Sequence, residues 1–345
     1  MTLDASSYKA YAQIKSQPSE LQRIITASEP VAAAADKLAN AERVFVVGTG
    51  TSYNATLFAA HCLHVIGVEA SPWTAYDFAV YGPTLTPADA AIVYSHSGRK
   101  QYSQRSLERV RVAGAAGIWV AGQNPDADNP ADVILRTVAR ETSSMFTVSH
   151  TAAMLLTARV IDHLKPGSLG DLAAVPDAVN TALSTEPVVR DLASQWRDLG
   201  AIVAVGGGPH EISALEIAIK INEGPRMRSH GYSIEQFLHG PQAQMQTDDG
   251  LVVFGCAGAG LERTQAVAQF GLDIGIPVAW TAPAEGPSGV VNLEVIDVGE
   301  SLAPIVQAVP GQLLAAHLAA VRGVDCDSFR LDEPAFKRAF ERYSL

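Results

Sequence analysis

Residues 43–66 read RVFVVGTGTSYNATLFAAHCLHVI, a short apolar, β-branched run that breaks on glycines and restarts as a helical stretch from about Ser52. The same alternation continues. Strand patterns stand at 69–74, 90–95, 117–121 and 132–138, with a helix at about 102–113 and a long one at about 144–164. A second block opens at 201–205 with AIVAV, again running into glycines and a helix, and goes on through 251–255, 277–281 and 291–298. Gly48 matches Gly206, and Ser95 matches the Phe254 region. Strands alternating with helices imply parallel sheets covered on both faces. The predicted fold class is α/β, with two tandem domains, each a doubly wound parallel sheet with helices on both faces. Their expected extents are 41–165 and 200–324. Around them lie an N-terminal helical segment 1–40 interrupted at Pro18 and Pro30, a helical linker 166–199 broken near Pro187, and a charged tail 325–345.

The chain has 345 residues, 48% of them hydrophobic and 18% charged, which suits two globular domains with a large core. A net charge of −11 repels a polyphosphate backbone, so nucleic acid is not an expected partner. No apolar run is expected to approach the ~20 residues that cross a bilayer, and the polar start lacks a signal sequence, which points away from membranes and toward the cytoplasm. Cys62, Cys256 and Cys326 have no metal-ligand spacing, and His61 and His64 lack a third ligand. Neither a metal nor a cofactor is expected.

Chemistry enters at 215–241, LEIAIKINEGPRMRSHGYSIEQFLHGP. Glu216, Lys220 and Glu223 stand at i, i+4 and i+7 and therefore stack on one helix face. Ile212, Leu215, Ile217, Ile219 and Ile221 make the other sides apolar, as in a buried helix. A charged line there must be paired or face a polar cleft, where proton transfer takes place. A salt-bridged interface helix is the other reading. Sixteen positions after Glu223, the His239-Gly240-Pro241 turn can hold an imidazole over the same cleft.

Two turns after strands carry hydroxyls. Gly48-Thr49-Gly50-Thr51-Ser52 leads into a helix that Ser52 can cap, and Ser95-His96-Ser97-Gly98 is followed by Arg99 and Lys100. Each alone is an ordinary capped turn. Together, at successive strand ends, they form a candidate phosphate cradle. Tyr53 stands where G-x-G-x-x-G needs its third glycine and no P-loop lysine follows, so a small monophosphate fits better than a nucleotide. Glu141, ahead of Thr142, Ser143 and Ser144, can cap the long helix or line the pocket, and Ser144 and Thr147 are candidate substrate-lining residues.

These motifs resemble the double sugar isomerase (SIS) domain family, most closely the isomerase half of glucosamine-6-phosphate synthases, over roughly 44–321. The family's G-T-S turn is matched by Gly50, Thr51 and Ser52, its S-x-S-G loop by Ser95, His96, Ser97 and Gly98, and its E-x-x-x-K-x-x-E helix by Glu216, Lys220 and Glu223. The H-G-P element follows at the same distance in His239, Gly240 and Pro241. The resemblance implies a sugar phosphate held by those hydroxyls, Glu223 as the base between C1 and C2, His239 as the ring opener, and Glu216 and Lys220 as orienting groups. It also implies a homodimer whose H-G-P histidine enters the neighbour's site. Three departures stand out. Thr2 replaces the N-terminal cysteine of a glutaminase domain, so glutamine is not expected to be a built-in ammonia source. Arg99 and Lys100 replace an acidic residue and a threonine, which alters the phosphate grip or the preferred sugar. Lys337 lies nearer the tail proline than the family's Schiff-base lysine. The expected function is aldose–ketose isomerisation of a hexose or hexosamine 6-phosphate through an enediol or enolamine, with deamination of glucosamine 6-phosphate as its main form. An Amadori-product deglycase and a non-catalytic sugar-phosphate regulator are the alternatives.

Overall fold

The computed structural model describes residues 4–342. Its elements run α1 (Lys9–Thr26), α2 (Val31–Ala39), β1 (Arg43–Gly48), α3 (Thr51–Val65), β2 (Ala70–Thr74), α4 (Ala75–Tyr81), β3 (Asp89–Tyr94), α5 (Gln101–Val112), β4 (Ala116–Ala121), β5 (Val133–Arg136) and α6 (Val148–Leu164). There follow α7 (Val175–Leu183), α8 (Glu186–Gln195), β6 (Ala201–Gly206), α9 (His210–Glu223), β7 (Arg228–Ser233), α10 (Ile234–Leu238), β8 (Gly250–Phe254), α11 (Leu261–Asp273), β9 (Val278–Thr281), β10 (Val291–Asn292), α12 (Ala303–Arg322) and α13 (Pro334–Phe340). Two compact units emerge, one of residues 19–141, 148–173 and 333–342, the other of residues 4–18, 142–147 and 174–332.

In the unit that contains residues 19–141, a parallel sheet has the order β2-β1-β3-β4-β5. Side chains alternate across it, so Phe45 and Val47 join Phe78, Leu107 and Trp119 in a core under α4 and α5. The opposite face meets α6, where the Tyr94 hydroxyl lies 2.7 Å from Thr157 Oγ1. In the other unit the order is β10-β9-β8-β6-β7, again parallel, the same arrangement counted outward from the first strand. Val203, Val205, Leu251, Val253 and Trp280 pack with Phe237 and Val267 on one face. On the other face α9 and α12 come together so closely that a Cβ at Gly311 would stand 2.1 Å from Ile217 Cδ1.

The predicted duplication and α/β class are therefore observed, and several boundaries are corrected. Proline 18 does not interrupt α1, which continues to Thr26. Proline supplies no N–H to the carbonyl four residues back, but Gln17 Nε2 donates to that carbonyl of Ile14 at 3.1 Å and to Gln312 Oε1 at 2.9 Å. The long helix begins at Val148, not Ser144. Glu141 accepts from the Ser149 N–H at 2.8 Å, one of the donors a helix start leaves unpaired, so its capping role is observed. Ser52 lies inside the first turn of α3, and the cap position is Gly50 at φ +60°. By composition α12 is long and apolar enough to span a membrane, with a mean hydropathy of 1.3, contrary to expectation; 94% of that stretch is buried in the fold, as befits a core helix.

Strand β7 (RSHGYS) carries no apolar pattern because it is an edge strand. Asn222 holds it in place by donating to Ser229 O at 2.9 Å and accepting from Ser229 N at 3.1 Å. Replacing fully buried Gln17 by leucine removes the donor shared by Ile14 O and Gln312 Oε1. The expected loss is about 1–3 kcal/mol. It is read as a lower urea midpoint at unchanged slope, and an unshifted midpoint would mean that the proline site needs no such donor.

Candidate active site

The first sheet changes strand direction of winding between β1 and β3, and the two hydroxyl-rich turns leave those adjacent strands. At Gly48 the start of α3 comes so close that a Cβ would stand 2.4 Å from Ser52 O, so only glycine fits. This contact sets Thr51 as the first residue of α3 and Ser52 beside it. The second turn is fixed by its neighbours. Trp119 Nε1 donates to Ser95 O at 2.9 Å, Asn129 Nδ2 donates to Gly98 O at 3.0 Å, and the Asp126 N–H donates to Ser97 O at 2.8 Å. Ser95 is 4% exposed and its Oγ makes no hydrogen bond among the described residues. A buried hydroxyl without a partner is costly, and a bound acceptor would satisfy it.

The remaining members of this turn divide. Ser97 Oγ accepts from the Arg99 N–H at 3.3 Å. The His96 imidazole packs against Gly122, where burial holds its pKa below the ordinary histidine value. Arg99 Nε pairs with Asp126 at 3.5 Å, and Lys100 is the exposed residue before α5. Lys337 is an exposed residue of α13.

In the other unit, α9 carries the charged stripe. Pro209 precedes it, Glu211 lies in its first turn and Lys220 in its last, in keeping with the helix dipole. Lys220 Nζ stands 2.8 Å from Glu223 Oε2 and 3.6 Å from Glu216 Oε1. Lys220 and Glu216 are wholly buried, whereas the Glu223 side chain is 22% exposed. The stripe is therefore an internally paired charge network that opens at Glu223. Two carboxylates sharing one buried ammonium avoid the cost of isolated buried ions.

His239 ends α10 with its side chain 76% exposed, 3.4 Å from Glu235. Ser144 donates its N–H to Asp327 O at 3.2 Å, and Thr147 is fully buried. Sequence spacing gave no sign of a second group in this unit. His210, Cys256 and Glu300, far apart in the chain, bring their ligand atoms within 4.8 Å of one another. Aligning the two duplicated strand ends would have pointed to His210 and Cys256.

Residues 37–160 match the family model described as SIS domain. The glutamine–fructose-6-phosphate aminotransferase (isomerizing) of Pyrobaculum aerophilum is 28% identical over 334 residues, which cover 92% of this chain and 55% of that protein. The chain spans about half the length of the curated relatives it matches. The C-terminal domain of glucosamine-fructose-6-phosphate aminotransferase from Francisella tularensis has the same fold, with a TM-score of 0.84 at 22% identity over 93% of this chain and 98% of that one. So does glucosamine-6-phosphate deaminase from Thermotoga maritima, with a TM-score of 0.75 at 19% identity over 93% and 97%. Residues 37–160 thus match the SIS domain, a second sheet repeats the strand order of the first, and the chain is similar in sequence to the isomerizing aminotransferases.

Proposed function

We propose that this protein interconverts the aldose and ketose forms of a hexose or hexosamine 6-phosphate, and that glucosamine 6-phosphate, converted to fructose 6-phosphate and ammonia, is its main substrate. The observation that carries this reading is the wholly buried Lys220 between two carboxylates, one of which opens to solvent. A sugar-phosphate sensor needs a phosphate grip but no such network, and lysines of a surface ion pair would face water. The names and folds of the relatives agree with the substrate class.

In this reading the hydroxyls of Thr51, Ser95 and Ser97 hold the phosphate, and His239 assists ring opening. Glu223 then takes the proton from C2 of the open aldose and returns it to C1, passing through an enolamine. Protonation at C1 leaves an imine at C2, which water hydrolyses to the ketone with release of ammonia. Lys220 holds the Glu223 carboxylate in place from 2.8 Å, and Glu216, 3.6 Å from the same ammonium, fixes it from its other side. Glu216 and Lys220 act here as positioning residues.

A panel of hexose and hexosamine 6-phosphates, followed for ketose and ammonia together, tests the assignment. Glucosamine 6-phosphate should yield both products in equal amounts. Glu223→Gln should lower kcat by about 10²–10⁴-fold, as for loss of a general base. Ser95→Ala should instead raise KM, by roughly fivefold for one lost hydrogen bond of about 1 kcal/mol. Ketose without ammonia would reduce the function to isomerisation, and an unaffected Glu223→Gln enzyme would remove Glu223 from the chemistry.

We further propose a homodimer in which His239 serves the partner's site, supported by its outward, 76% exposed side chain. Mixing inactive His239→Ala with inactive Glu223→Gln should restore activity. Random reassortment makes about half of the molecules heterodimers with one intact site each, hence about a quarter of wild-type turnover. A mixture that stays inactive while subunits exchange would show that the sites are not shared through His239.

A further inference from the structure

The duplication gives the second sheet a switch point of its own, between β6 and β8. Gly206 repeats the contact of Gly48, since a Cβ there would stand 2.2 Å from His210 O. His210 therefore occupies the place that Ser52 holds in the first sheet. Val47 pairs with Val93 across β1 and β3, and Val205 pairs with Val253 across β6 and β8. Counting on from these pairs, Cys256 takes the place of His96. Where one sheet end carries hydroxyls, the other carries an imidazole and a thiol, joined by Glu300 from the loop before α12.

These three groups converge. His210 Nε2 faces Glu300 Oε1 at 3.6 Å, and Cys256 Sγ lies 3.3 Å from the same oxygen. Cys256 and Glu300 line a cavity of about 270 Å³, together with Asp297, Val306 and Gln307. Gln307 sets the imidazole tautomer. Its Nε2 donates to Gly255 O at 2.7 Å, so its Oε1 is the atom that faces His210 Nδ1 at 2.9 Å, where it also accepts from Ser213 Oγ at 3.0 Å. An amide oxygen can only accept, so Nδ1 carries the proton and a neutral ring presents the Nε2 lone pair. His210 is 2% exposed, and Nε2 makes no hydrogen bond among the described residues. In the neutral ring that buried lone pair turns toward a carboxylate, which is repulsive unless a metal ion or a ring proton lies between them.

We propose that His210 Nε2, Cys256 Sγ and a Glu300 carboxylate oxygen bind a thiophilic divalent cation, zinc above all, with the fourth coordination position open to the cavity. The spacing fits. Bonds of about 2.0–2.3 Å at a tetrahedral angle put ligand atoms roughly 3.3–3.5 Å apart, against 3.3 and 3.6 Å for the two pairs that include Glu300 Oε1, with all three atoms within 4.8 Å of one another. Gln307 supplies the outer hydrogen bond that orients a metal-bound histidine. On binding, the Cys256 S–H bond breaks as the sulfur–metal bond forms, and the proton passes to solvent.

The test uses the full chain, stripped by a chelator under reducing conditions and titrated with cobalt(II), then with zinc(II). One equivalent of cobalt should produce an intense thiolate-to-metal charge-transfer band, which one equivalent of zinc abolishes. Cys256→Ser should lose the band. Glu300→Gln, altered at a half-exposed side chain, should weaken cobalt binding at least roughly tenfold with an unchanged circular dichroism spectrum. A wild-type chain without the band, a band that survives Cys256→Ser, or equal cobalt affinity in wild type and Glu300→Gln would each overturn the site. The cluster would then be an ion pair between protonated His210 and Glu300.

Discussion

At Gly48 and Gly206 the backbone of a helix presses against the end of a strand at a distance no side chain allows. Everything chemical in the two sheets is arranged around those contacts. Each fixes where a helix begins and turns its first residues toward the gap between two central strands, where a parallel sheet changes winding direction and leaves room for a ligand. Because the constraint lies in backbone and glycine, the side chains beside it are free to differ. One copy carries Thr51, Ser52, Ser95 and Ser97, and the other His210 and Cys256.

The network on α9 works by a different principle. Burying Lys220 and Glu216 completely is justified less by stability than by geometry, since an apolar trio of similar volume would pack at least as well. What the charges provide is a fixed place for Glu223, whose carboxylate is held by an ammonium that cannot move into water. The neighbouring apolar wall contributes to this. Gly311 lets α12 come against Ile217 of α9, the helix on which Lys220 is wholly buried.

Most of the architecture was legible because strands buried on both faces, such as Val44–Val47 and Ile202–Val205, have no other use for runs of β-branched residues. The stripe of Glu216, Lys220 and Glu223 was legible for a related reason, as charge at helical spacing inside an apolar helix. The misses share a cause, which is that a side chain distant in sequence or unusual in its role supplied what local pattern lacked. Proline 18 reads as a break until Gln17 is seen to donate to Ile14 O. Strand β7 has no apolar pattern because Asn222 and the sheet edge define it. His210, Cys256 and Glu300 follow no ligand spacing because three separate connections bring them together.

The start of α1 shows what such distant partners mean for a chain as it is made. Its first N–H groups, those of Lys9 and Ala10, donate to the carboxylate of Asp327 at 2.8 and 3.0 Å, across 318 and 317 positions. At a synthesis rate of roughly 5–20 residues per second, the first helix waits about 16–64 s for that cap to leave the ribosome. Until then the part of α1 before Ser19 also lacks its later partner Gln312, to which Gln17 donates. Vectorial synthesis therefore favours early completion of the sheet at residues 43–136, while the unit that holds the charged stripe closes last, on nearly the whole chain.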